Sequence, residues 1–248
     1  MPGFCQHKGY TLVEMVLVVI IIAILAAVAF RSLGRTLDVS RTEETKAEME
    51  HLAYAIAGNP ELVSGGTRTD FGYIGDVGTF PPDWDALVTN PGYATWNGPY
   101  MEDDFSSGGP DYTFKLDAWG KLYSPPNSNV FSSTGGPQTI AREIAPSASA
   151  LLYNSVVLSV EDIDQSPPGP KYCDSVRLAI AYPNGTGGMT TRTAVPNANG
   201  LARLDSIPIG LHELRMIYLP SDDTVQRKIA VNVGRTTYID MQYFGDVW

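Results

Sequence analysis

Glu14 has the clearest chemistry to do in this chain. It stands alone in an apolar stretch that runs on from Met15 to Phe30 as MVLVVIIIAILAAVAF. A carboxylate in hydrocarbon costs a few kcal/mol or more to insert. A cation brought beside it offsets that cost. At about 4 Å and an effective dielectric near 20 the attraction is roughly 4 kcal/mol. Desolvation takes much of this back, so such a pair fixes register more than it adds stability. The bland alternative is a carboxylate at the headgroup boundary that snorkels out to water.

The other reactive side chains are sparse. His7, His51 and His212 are scattered, with no pair at ligand spacing, and Cys5 and Cys173 cannot build a disulfide framework or a thiolate cluster. His212 lies on a strand-like stretch with Leu214 and Met216 and reads as a satisfied core or rim histidine. Neither a Walker A glycine loop nor a Gly-x-Ser-x-Gly elbow is present. The acidic run Glu102-Asp103-Asp104 and the pair Asp162/Asp164 could hold calcium, but a hard cation wants six or more oxygens, and exposed acidic runs are usually just solvated. No enzyme and no resident cofactor is expected, with calcium the one cation worth considering.

The 248 residues carry 17 Lys and Arg against 27 Asp and Glu, a net charge of −10. That balance argues against nucleic acid, which requires a basic face. Residues 61–150 hold most of the acidity, with four basic and eleven acidic side chains.

The element that must carry Glu14 is a long helix. Tyr10 to Phe30 is 21 residues. At helical rise they span about 31 Å, a bilayer core. Beyond Phe30, Leu33, Leu37, Met49, Leu52 and Ile56 are spaced to share one helical face across a polar stretch. Gly58-Asn59-Pro60 is a stop signal. A secretory signal peptide would instead be cut after the apolar run, near Ala26, Ala27 and Ala29.

What precedes the run differs from such a peptide. The short leader MPGFCQHKG ends in Lys8-Gly9 and is followed at once by Tyr10-Thr11-Leu12-Val13-Glu14. These residues resemble the class III signal of type IV pilins and pseudopilins. The resemblance implies cleavage by a prepilin peptidase between Gly9 and Tyr10, and methylation of the new amino terminus at Tyr10. It also implies that Glu14, fifth in the mature chain, pairs with the N-terminal ammonium of a neighbouring subunit. Tyr10 replaces the usual Phe. Arg31 stands where many relatives carry a helix-loosening Pro, leaving Gly34 as the weak point.

The middle segment has its own pattern. Pro81-Pro82-Asp83 predicts the start of a short helix through Leu87 and Val88. Trp96-Asn97-Gly98-Pro99-Tyr100 and Asp117-Ala118-Trp119-Gly120 predict turns, the second leading into a strand at Leu122-Tyr123. With Gly78 and Ala86, these residues resemble the head of the major pseudopilin of type II secretion, Ala118 replacing a family proline. Many members of that family bind calcium in a loop that matches Phe131 to Gln138. Here the loop lacks their acidic ligands.

The last hundred residues alternate with period two. Val176, Leu178, Ile180 and Tyr182 form one such set, Leu214 and Met216 a second, Ile229, Val231 and Val233 a third, and Ile239, Met241 and Tyr243 a fourth. Pro183-Asn184-Gly185, Asn199-Gly200 and Gly210 punctuate them, and six or seven strands of a β-sandwich are expected. The stretch from Asn199 to Leu214 resembles the carboxypeptidase-regulatory-like, or transthyretin-like, sandwich. Its boundary lies before Leu151 or after the Pro-rich stretch Asp164 to Pro170.

The expected fold is therefore α+β. A long N-terminal transmembrane helix packs on a pilin-like antiparallel sheet head, followed by an all-β sandwich. The divisions are a leader at 1–9, a membrane or filament-core helix at 10–30, an amphipathic helix at 31–58, a head at 59–148 and a sandwich at 149–248. The resemblance implies a subunit of a type II secretion pseudopilus, polymerised through its N-terminal helices. Its partners would be prepilin peptidase, an inner-membrane assembly platform with its ATPase, and other pseudopilins. The chain would cross the inner membrane once, N-terminus cytoplasmic and head periplasmic. A type IV pilin with an adhesive sandwich is the alternative, and a tethered protein that never polymerises a third.

Overall fold

The computed structural model describes residues 11–102 and 113–248. The leader 1–9, with Gly9, and Tyr10, Asp103 and Asp104 lie outside the described residues.

Helix α1 (Leu12–Ala57) is 46 residues long, about 69 Å at helical rise. Thr11 caps it, its Oγ1 accepting from the backbone N–H of Glu14 at 3.3 Å. The first part of the helix touches no other element. From Thr45 onward one face, with Met49, Leu52, Ala53 and Ile56, is buried. Leu33 and Leu37 are exposed, a correction to the expected face. Over so long a helix the stripe drifts: at roughly 3.6 residues per turn Leu33 and Leu37 lie about 100° and 60° round from Leu52, and nothing stands opposite them.

The helix ends where the stop signal predicts, and the ending is held from outside. Gly58 has φ +79°, and a Cβ there would sit 2.3 Å from the Asp70 carbonyl oxygen. The last turn contains no basic residue. Instead Arg68 donates to the carbonyls of Ala57 (2.6 Å) and Gly58 (3.0 Å), putting a cation at the negative end of the helix dipole. Asp70 completes the clamp by accepting from the amides of Asn59 and Gly72.

Arg68 belongs to a minimal hairpin, β1 (Val63–Ser64) and β2 (Thr67–Arg68). A short helix, α2 (Gly72–Val77), follows. The helix expected after Pro81-Pro82-Asp83 is a single 3-10 turn, Asp85–Leu87, with Asp83 Oδ1 accepting from Ala86 N. The head's other hairpin pairs β3 (Val130–Ser133) with β4 (Ile140–Glu143). Leu122 makes only an isolated bridge to Leu116, so Leu122-Tyr123 is not a full strand. The head is held mainly by side chains. Tyr73, Ile74, Val77, Trp84, Leu87, Tyr123 and Phe131 close around Met49, Leu52 and Ile56 of α1. The Trp84 and Phe131 rings meet edge-on at 5.2 Å. An ion pair from Arg142 to Glu50 (2.6 Å) ties β4 to the helix.

After α3 (Ala148–Leu152) come seven strands: β5 (Asn154–Glu161), β6 (Val176–Pro183), β7 (Met189–Ala194), β8 (Leu201–Ile207), β9 (Gly210–Tyr218), β10 (Asp223–Val231) and β11 (Thr237–Gln242). They form a four-stranded sheet, β10-β9-β6-β7, and a three-stranded sheet, β11-β5-β8. The β11–β5 pairing is parallel and the rest are antiparallel. Inward residues of both sheets make one cluster, including Val156, Leu158, Leu178, Ile180, Leu204, Leu214 and Met216. The alternation in the sequence is thus the alternation between core and solvent. Asp164 to Pro170 lies on the crossover from β5 to β6.

The two bodies touch. Gly185, in the β6–β7 turn, donates to the carbonyl of Val77 at the end of α2 (2.9 Å). Gly78 has φ +84° and lies so close to Pro183 that a Cβ would be 2.4 Å from its carbonyl oxygen. Ile209 belongs to the head's core rather than the sandwich's.

Candidate functional site

The candidate site is the free half of α1. Leu12, Val13, Ile20 and Phe30 are 81%, 75%, 52% and 76% exposed, and so are their neighbours around the whole helix circumference. A globular surface seldom shows so large an apolar area without something to cover it. The segment is long and apolar enough to cross a membrane. Glu14 lies in the first turn, where the helix dipole favours a carboxylate. No ion pair reaches it among the described residues. Of the expected site residues the structure thus places Glu14, at the start of the apolar rod, while Gly9 and Tyr10 lie outside the described residues.

The calcium loop can be tested by its donors. Asp117 is 3% exposed. One carboxylate oxygen accepts from the amides of Trp119 (3.0 Å) and Lys121 (2.9 Å), and the other from Ser133 Oγ (2.6 Å) and the amide of Gly135 (3.0 Å). Burial alone would raise its pKa, but these four donors hold the carboxyl below its ordinary value. The loop therefore offers N–H and O–H groups where a hard cation needs oxygens. The residues here do not fit the calcium loop of the resembled family.

The remaining candidates have local partners. Asp162 is buried and accepts from the amides of Asp164 and Ser166, an Asx-type turn. Among the described residues no group of three or more His, Cys, Asp or Glu could hold a metal ion. His212 is buried with Nε2 2.8 Å from the Pro208 carbonyl oxygen, and burial lowers its pKa. The turn aromatics are structural. Trp96 Nε1 donates to the Ala86 carbonyl (2.8 Å), and Tyr100 Oη donates to Asp76 (2.8 Å). Sequence reasoning missed the Arg68/Asp70 clamp and the Asp117 knot. Their only signal was an Asp beside a Gly-rich turn, which is common.

Residues 5–30 match the family described as the prokaryotic N-terminal methylation motif. The N-terminus is type IV pilin-like. The match covers the Lys8-Gly9-Tyr10 junction, Glu14 and the apolar rod, and it implies prepilin peptidase processing, polymerisation with other pilins and anchoring in a membrane. It does not reach the head or the sandwich. No curated protein matches the chain. Among solved structures, the Bacillus anthracis TIE protein is similar over 49% of this chain and 24% of that one. The identity is 15% and the TM-score 0.30, too low to carry an argument. This pilin-like chain thus spans about a quarter of the length of that protein.

Proposed function

We propose that this chain is a structural, non-enzymatic subunit of a type II secretion pseudopilus. Prepilin peptidase cuts at Gly9–Tyr10 and the new terminus is methylated. The subunit waits in the inner membrane, N-terminus cytoplasmic and head periplasmic. An ATP-driven platform then extracts it, and the apolar rods trade lipid for one another in a filament core. Glu14 sets the register by pairing with the freed amine of a neighbour. The growing filament moves folded proteins toward an outer-membrane pore.

The observation that carries this reading is an all-round apolar helical rod, exposed along its length, directly after a methylation motif. The type II assignment rests on the head pattern from Trp96 to Tyr123. An adhesive or minor type IV pilin is the second reading, favoured by a sandwich that continues away from the head. The test is mass spectrometry of the mature chain in its native host, with deletion of the gene. A methylated Tyr10 terminus and lost export of secreted proteins support the proposal. Intact export with lost surface adhesion supports the second reading, and a retained leader refutes both.

A further inference from the structure

At the end of the sandwich farthest from the head lies a cleft of about 440 Å³, between the β9–β10 turn and residues 243–247. β9 begins against α2, where an added Cβ at Gly75 would lie 3.7 Å from Gly210 Cα. Its nine residues carry the chain about 27 Å to the cleft. The walls include Tyr218, Tyr243, Phe244, Asp223, Asp246 and Ser221.

Three features set this cleft apart. First, Tyr243 is 3% exposed, and its phenol oxygen is buried without a hydrogen-bond partner among the described residues. A buried polar group left so is costly and invites a ligand. Second, Asp223 and Asp246 have no ion-pair partner among the described residues. Ser221 Oγ donates to Asp223 (2.5 Å), and Lys171, outside the cleft's lining, donates to the Tyr172 hydroxyl (2.7 Å). Third, Phe244 is 86% exposed and offers an open aromatic face. Burial, and after it the Asp223 charge, raises the pKa of the Tyr243 phenol, so carboxylate and phenol share one neighbourhood.

We infer that this cleft binds a basic side chain, an ammonium or guanidinium presented by a partner polypeptide. The two carboxylates only accept, and the lining hydroxyls can accept as well, which suits a ligand made only of donors. Two carboxylates in a cleft focus negative potential, and the aromatic face adds a cation–π contact. A saccharide brings no charge to meet the two carboxylates. The site does not depend on polymerisation and stands or falls apart from the filament reading.

The test titrates the full chain in detergent with N-acetyl-arginine amide and, as an uncharged isostere, N-acetyl-citrulline amide, reading NMR shifts of the Phe244 and Tyr243 rings. Saturable shifts are expected for arginine, with at least tenfold weaker binding of citrulline and a marked loss of affinity at high salt. Asp223→Asn with Asp246→Asn should abolish binding while leaving the unfolding midpoint in place. Tyr243→Phe should weaken it several-fold. Equal binding of arginine and citrulline, no shift with either, or saturation by chitotriose in their place would overturn the inference.

Discussion

The two halves of α1 have the same backbone and opposite surroundings. Residues 45–57 turn one stripe to the head, and Met49, Leu52 and Ile56 are 1%, 1% and 0% exposed. Apart from Glu14, residues 12–30 are apolar on every side, and they are buried nowhere. A one-sided stripe needs one neighbour, which the chain supplies from its own head. An all-round apolar surface needs neighbours in every direction, and a single chain cannot wrap itself that way. The missing neighbours must be lipid or further copies, so the same sequence rule that folds one half recruits partners to the other.

The largest expected effect falls on the free half. Glu14→Leu makes the rod more apolar, so insertion should be as good or better, while filaments recovered by shearing should disappear. If the leucine variant assembles normally, the carboxylate has no register role and the free half works by hydrophobicity alone. Removing residues 1–30 sharpens the contrast. The remaining chain should be a monomer in solution with an unchanged unfolding midpoint, because the removed rod buries nothing in the head. Size-exclusion chromatography with thermal denaturation checks both.

Matched truncations come next. Leu52→Ala should destabilise the head by about 2–5 kcal/mol, the range for deleting a buried leucine side chain. Leu37→Ala, at an exposed position of the expected stripe, should stay within about 0.5 kcal/mol. Urea denaturation of the chain lacking residues 1–30 measures both. A large loss at Leu37 would mean the head covers more of the helix than the structure gives.

The glycine inside α1 and the one that ends it should move in opposite directions. Gly58 combines φ +79° with ψ 160°, a region nearly closed to other residues. Gly58→Ala should cost about 2 kcal/mol or more, with the clash against Asp70 added. Gly34 is helical with nothing within 4 Å of an added Cβ, so Gly34→Ala should strengthen the helix by about 0.5–1 kcal/mol. Circular dichroism during thermal unfolding resolves the two. If Gly34→Ala preserves helicity yet blocks assembly, flexibility at that point serves the filament.

Much of this was legible in the chain itself, for definable reasons. The rod, its end at Gly58 and the core faces of the sandwich strands follow from periodicity and turn residues, which are local. Val176, Leu178, Ile180 and Tyr182 all face inward as their alternation requires. What was not legible depended on contacts distant in sequence. Leu33 and Leu37 lie about 100° and 60° round the helix from Leu52, and no wall stands opposite them. Arg68 reaches back ten and eleven residues to cap a helix. Asp117 collects two of its donors from the end of β3 and the loop after it, sixteen and eighteen residues away. The parallel pairing of β5 with β11 joins strands about eighty residues apart, and no local signal encodes it.

A pH-dependent effect, absent at the acid end, tests how the helix is seated in the head. Tyr123 Oη donates to Glu48 at 2.7 Å, linking the β3 side of the head to α1. Burial raises the Glu48 pKa above its ordinary 4.5, and the tyrosine bond pulls it part of the way back. A carboxyl with a raised folded pKa contributes its stability below the ordinary value and loses it as pH rises through the folded value. Tyr123→Phe removes the donor that limits the rise, so the loss becomes deeper and begins at the same acid end. The unfolding midpoints of parent and variant should therefore nearly coincide well below pH 4.5 and separate toward neutral pH. Near pH 7 the gap should approach about 1 kcal/mol, the worth of one hydrogen bond to a partly solvated carboxylate. No gap at any pH would mean that Tyr123 acts by the packing of its ring against Trp84 and Phe131 alone, which phenylalanine keeps, with the seated half of the helix held only by its apolar stripe.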